Sequence, residues 1–116
     1  MTTLSYYHNI NSKFLKISGK DSASFIQDII TNDINECSEG KFLYSCILNP
    51  QGRFIADFFI YKKNDDYFFE INKKFFEVFI QKLNIYKLRS KITITKIERL
   101  ESFVFFKQYN TNQNYE

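Results

Sequence analysis

Apolar positions along the chain recur at two spacings, and each change of spacing marks an element. Phe14-Leu15-Lys16-Ile17-Ser18 reads as a short strand, closed by the breaker Gly19-Lys20-Asp21. Phe25, Ile26, Ile29 and Ile30 then return at helical spacing. The pattern predicts an amphipathic helix over 22–30, N-capped by Asp21 or Ser22 through a side-chain oxygen that accepts a free backbone N–H. Thr31-Asn32-Asp33 reads as a stop, and residues 34–41 as a polar connection ending at Gly40. Phe42 to Leu48 is a second strand. Asn49-Pro50-Gln51-Gly52 is the clearest turn, since Pro presets φ and Gly takes a positive φ without a clash. Arg53 to Tyr61 follows as a third strand and completes a hairpin.

The third strand has two unlike faces. Phe54, Ala56, Phe58 and Ile60 point one way, and Ile55, Asp57, Phe59 and Tyr61 the other, so one carboxylate sits on an otherwise apolar face. After a polar turn over 62–66, Tyr67 to Ile71 is a fourth strand. Asn72 caps a longer helix over 73–88, with Phe76, Phe79, Ile80 and Leu83 along one side and Phe75 and Val78 widening it. Ile92 to Ile97 alternates as a strand, and Phe103 to Phe106 reads as the last. The order β-α-β-β-β-α-β-β describes an α+β fold: an antiparallel sheet with two helices on one face. It occupies residues 1–107 as a single domain, and the polar, Asn-rich stretch 108–116 reads as a frayed tail.

Composition supports a packed domain and narrows its partners. Of 116 residues, 44% are hydrophobic and 19% aromatic, with three Gly and one Pro, which argues against disorder. The excess of Phe, Ile, Lys, Asn and Tyr is read as AT-rich codon usage. Sixteen basic and thirteen acidic residues leave a formal charge of +3. That charge is too mild and too dispersed for a phosphate-binding stripe, so no nucleic-acid partner is expected. No apolar run reaches bilayer-spanning length, so no membrane partner is expected either. Cys37 and Cys46 have no metal-type spacing and follow no leader segment, which points to a reducing, cytoplasmic location.

Few residues could carry chemistry. The single histidine, His8, reads as a surface residue, Cys46 as a small core hydrophobe, and Cys37 as a free thiol in the polar connection. Asp57 is the strongest candidate, because an acid between Ile55 and Phe59 is costly to bury without a partner. It is either a structural acid paired with Arg53, a backbone N–H or water, or a carboxylate lining a ligand pocket. Tyr44, an amphipathic ring on the strand before the turn, is the second candidate; a half-buried sheet tyrosine is the plainer account. Arg89 either complements the dipole at the end of the long helix or contacts an anion.

Three blocks of residues resemble a known superfamily. The first is Leu15-Lys16-Ile17-Ser18-Gly19-Lys20-Asp21 with Phe25-Ile26-Gln27 and Thr31-Asn32-Asp33-Ile34. The second is Tyr44-Ser45, then Leu48-Asn49-Pro50-Gln51-Gly52-Arg53 and Asp57. The third is Leu83 with Tyr86-Lys87-Leu88-Arg89-Ser90-Lys91-Ile92. Together, over roughly residues 13–97, they resemble the N-terminal segment of the YgfZ-type folate-binding, iron–sulfur assembly proteins, relatives of the glycine-cleavage aminomethyltransferase. Arg53 and the third block favour the YgfZ branch.

The resemblance implies the first domain of the aminomethyltransferase (GcvT) fold, with tetrahydrofolate as the cofactor and Tyr44 and Asp57 at folate-contacting positions. A weakly positive field would aid the approach of a polyglutamylated folate. Iron–sulfur assembly proteins, or a separately encoded C-terminal part, are the implied partners. Two departures matter. Ala56-Asp57 stands where the transferase commonly has two acids, and the YgfZ signature Lys-Gly-Cys-Tyr-x-Gly-Gln-Glu is absent, as in a truncated chain. No catalytic residue is therefore assigned, and the chain is not expected to be an enzyme on its own. The alternatives are a fragment of a folate-dependent aminomethyltransferase, or an inactive remnant serving as an interaction domain and self-associating through an uncovered sheet.

Overall fold

The computed structural model describes residues 11–97. His8, the expected strand Phe103 to Phe106 and the 107/108 boundary lie outside the described residues. Within them, strand β1 (Ser12–Ser18) leads to helix α1 (Ser22–Ile29), a short 3-10 turn (Ile34–Glu36), and the hairpin of β2 (Leu43–Leu48) and β3 (Phe54–Lys63). Strand β4 (Asp66–Asn72), helix α2 (Lys73–Tyr86) and strand β5 (Thr93–Ile97) follow. The sheet order is β2-β3-β4-β1-β5 with every neighbouring pair antiparallel, so β1 is an interior strand between β4 and β5 although it comes first in the chain.

Alternation along the strands divides the sheet into two faces. Leu15, Ile17, Ile47, Ala56, Phe58, Ile60, Phe69 and Ile71 face the helices and pack with Phe25 and Ile26 of α1 and Phe76, Phe79 and Leu83 of α2. Each fully buried side chain of this size contributes about 1.5–3 kcal/mol, and this layer is the main core. The opposite face carries a smaller cluster, Phe14 and Tyr61 with Phe42, Phe59, Phe68 and Ile97. At the start of β3 the alternation slips. A register shift at Ile47/Leu48 pairs Leu48 with Phe54 and lets Ile55 pack against the main core, while Phe54 lies half-exposed against Phe75 of α2.

The hairpin turns follow local chemistry. Asn49 Oδ1 accepts the N–H groups of Gln51 and Arg53, both at 2.9 Å, and Gly52 takes φ +83°. At the β3–β4 turn Asn64 and Asp65 take φ of 52° and 69°, both left-handed as a tight hairpin turn demands. Asn72 caps α2 as expected, its side chain accepting the N–H of Lys74 at 2.9 Å.

Four local expectations are corrected. Asp21 precedes α1 but does not cap it by its side chain; its carboxylate instead accepts the N–H of Lys91 at 2.8 Å, and Ser22 is buried with its hydroxyl donating to the Gly19 carbonyl. The connection over 34–41 is not wholly polar. Ile34 and Cys37, three apart across the 3-10 turn, fall on one side and join the main core. Cys37 donates to the Ile60 carbonyl at 3.4 Å, and burial pushes its thiol up to about 12 against an opposing pull from Lys62, so it is inert at neutral pH. Cys46, by contrast, lies outside the core and is half-buried on the helix-free face. Arg89 stands exposed beyond the end of α2 at Tyr86.

Candidate functional site

Tyr44 on β2 and Asp57 on β3 meet on the helix-free face. The register pairs Tyr44 with Phe59 and Cys46 with Asp57, so Tyr44 and Asp57 are diagonal neighbours. The Tyr44 phenol donates to Asp57 Oδ2 at 2.5 Å, and its ring packs on Phe59 with centroids 5.4 Å apart. Asp57 does not pair with Arg53. Its second oxygen, Oδ1, has no hydrogen-bond donor among the described residues. Tyr44 is 53% exposed and Asp57 half-buried, so the pair presents an aromatic surface with a carboxylate at its centre.

The first two sequence blocks meet behind this pair and hold it. Asn32 Nδ2 donates to the Tyr44 carbonyl at 3.0 Å. The Thr31 N–H reaches the Cys46 carbonyl at 3.1 Å and the Ser45 hydroxyl at 3.2 Å, and Ser45 is buried. Gln27 fastens the loop to α1, donating to the Asn32 carbonyl and accepting the N–H of Ile34. These polar residues therefore act on the backbone of β2, fixing the position from which Tyr44 reaches out.

The hydrogen bond to Asp57 is the first cause holding the Tyr44 phenol above its ordinary value of 10.0; desolvation and the charges of Asp57 and Cys46 add to it. Ionising the phenol would cancel its donation and set two anions side by side. A folded-state value above the unfolded one means that this interaction stabilises the domain below pH 10 and is lost as pH rises through the folded value. In an NMR titration of ring-labelled tyrosine, Asp57→Asn is expected to move the Tyr44 transition back down. Identical curves for the two proteins would show that Asp57 is not the cause.

A second carboxylate on this face escaped the sequence reading. Glu70 on β4 is 5% exposed, accepts the Tyr61 phenol at 2.7 Å and the Ser12 hydroxyl at 3.1 Å, and lies opposite Phe59 and Phe14. Its sequence signal matches that of Asp57, an acid between Phe69 and Ile71 in a strand. The site thus has a repeated arrangement, a tyrosine hydroxyl on a carboxylate to either side of Phe59. A groove of about 350 Å³ lies elsewhere, between α1, the end of α2 with Ser90 beyond it, and the Asn49–Pro50 turn, and neither Tyr44 nor Asp57 lines it. Among the described residues no helix is long and apolar enough to cross a membrane.

An antiparallel five-stranded sheet with two helices on one face is an α+β domain. It is similar to the glycine cleavage system aminomethyltransferase T from Bartonella henselae, with a TM-score of 0.70 over 76% of this chain and 25% of that one, at 15% identity. Residues 11–102 match the family described as the GCVT N-terminal domain, and the chain belongs to that family. Curated relatives include the aminomethyltransferases of Staphylococcus epidermidis, 41% identical over 54 residues, and of Clostridium botulinum, 42% identical over 53 residues. The matched segments cover 47% and 46% of this chain but only 15% and 14% of those enzymes.

Proposed function

We propose that this domain forms one wall of a tetrahydrofolate site. The observation that carries the reading is the Tyr44–Asp57 pair on the helix-free face, with Asp57 Oδ1 available to a ligand. A tetrahydropterin has a planar pyrimidine ring with several N–H donors, fused to a puckered reduced ring. A carboxylate accepts such donors, and the rings of Tyr44 and Phe59 offer a surface for stacking. The same ligand is what the resemblance of the three sequence blocks implies, and the match to the GCVT N-terminal domain family is consistent with it. One wall encloses little of a ligand, so the chain alone is expected to bind at a Kd of about 1 mM or weaker.

The test is a ¹H–¹⁵N NMR titration with tetrahydrofolate. Shifts are expected to centre on Tyr44, Asp57 and Phe59, to vanish in Asp57→Ala, and to saturate at lower ligand when the remaining domains of a relative are supplied in trans. Absence of shifts in both conditions would sink the proposal.

Within this reading, Arg53, Ala56 and the Tyr86–Ile92 block support a YgfZ-type role in iron–sulfur cluster assembly or repair. The names of the curated relatives favour a second reading, a fragment of an aminomethyltransferase. Depleting the chain in cells separates the two. Loss of iron–sulfur enzyme activity with glycine cleavage intact supports the first, and the reverse supports the second.

A further inference from the structure

The third sequence block finds no use in the folate wall, and it carries the most exposed large apolar side chain in the described structure. Leu88 is 85% exposed, and Ile85 and Tyr86 beside it are 58% and 37% exposed. Around it stand Lys87, Arg89 and Lys91, and Lys20 joins them because the Gly19–Asp21 turn packs on the Lys91 backbone. None of these four cations forms an ion pair with a described carboxylate. The same segment walls the 350 Å³ groove through Tyr86 and Ser90, and that groove holds the carboxylate of Asp28.

We propose that this loop docks on a partner protein whose surface offers an apolar pocket for Leu88 rimmed by Asp and Glu. The helix dipole accounts for cations after α2, but it gives no reason to expose a leucine among them. An apolar anchor within a ring of charge is the anatomy of a protein interface, with the desolvated residue at the centre and the steering charges outside. A nucleic acid would use the cations and have no use for Leu88. An anionic bilayer would use both, yet its headgroups offer no side chain to fill the adjoining groove, whereas a protein side chain can enter it. A second copy of this chain docked face to face about a twofold axis would set four cations against four.

The experiment places a photo-crosslinking amino acid at Leu88 of the full chain in cells and sequences the adduct. The expected product is a protein peptide rich in Asp and Glu. Its yield should fall at least about tenfold with Lys87→Glu, Arg89→Glu and Lys91→Glu combined, equivalent to about 1.4 kcal/mol. Lys73→Glu, at the opposite end of α2, should leave the yield unchanged. Matching thermal melts of the charge-reversed and parent chains exclude misfolding. The proposal is overturned by no adduct, by an adduct to lipid or to another copy, by a peptide without acidic residues, or by a yield that survives the charge reversal.

Discussion

Gly19→Ala is expected to destabilise the domain by about 3 kcal/mol or more, through a clash and a strained backbone together. A Cβ on Gly19 would stand 2.4 Å from the Lys91 carbonyl oxygen and 2.9 Å from Ile92 Cα, both backbone atoms that cannot swing aside. Its φ of +115° is one that an alanine rarely adopts. The turn cannot retreat cheaply. The Asp21 N–H donates to the same Lys91 carbonyl at 3.3 Å, and the Asp21 carboxylate accepts the Lys91 N–H at 2.8 Å. Lys91 lies two residues before β5, the edge strand that pairs with β1, so displacing it loosens an edge of the sheet. Small domains have total stabilities of about 5–15 kcal/mol, so the loss would show as a large drop in the urea midpoint. An unchanged midpoint would mean that the Gly19–Lys91 contact is slack.

Phe79→Ala is expected to cost about 3–5 kcal/mol, the range for deleting a fully buried aromatic ring. Phe79 has no exposed surface, and its ring centroid lies 5.0 Å from that of Phe58 and 5.5 Å from that of Phe69. It therefore joins α2 to β3 and β4, the strands that carry Asp57 and Glu70, and its loss leaves a cavity bordered by the Phe58 and Phe69 rings. Phe54→Ala serves as the control. That ring is half-exposed and touches Phe75 at the rim, so its removal is expected to stay below about 1 kcal/mol. Equal losses for the two variants would show that the rim, not the Phe58–Phe69–Phe79 cluster, carries the packing.

Much of this was legible in the chain because its signals are short-range. Phe76, Phe79 and Leu83 announce the buried side of α2 by their spacing, and Asn49 to Gly52 announces a turn by its residue types. Asp57 was singled out because an acid in an alternating strand is conspicuous, and the alternation correctly set it with Phe59 and Tyr61. Glu70 was equally conspicuous and was passed over. Its meaning depends on Tyr61 and Ser12, the latter 58 residues away, and no local pattern joins them. Asp21 was misread for the same reason, since a plausible cap at the start of a helix was taken by a backbone N–H 70 residues on.

The sequence by itself determined the five described strands, the two helices, most of their inward and outward sides, and the carboxylate on the third strand, because propensity and periodicity act over a few residues. Only the tertiary structure decided that β1 lies between β4 and β5, and that Tyr44 rather than Arg53 answers Asp57. It also brought Gln27, Thr31 and Asn32 behind Tyr44 and the Gly19 turn against Lys91. Strand order and register are settled by which pairing closes the whole core with its polar groups satisfied, a condition on the entire chain that no short segment contains.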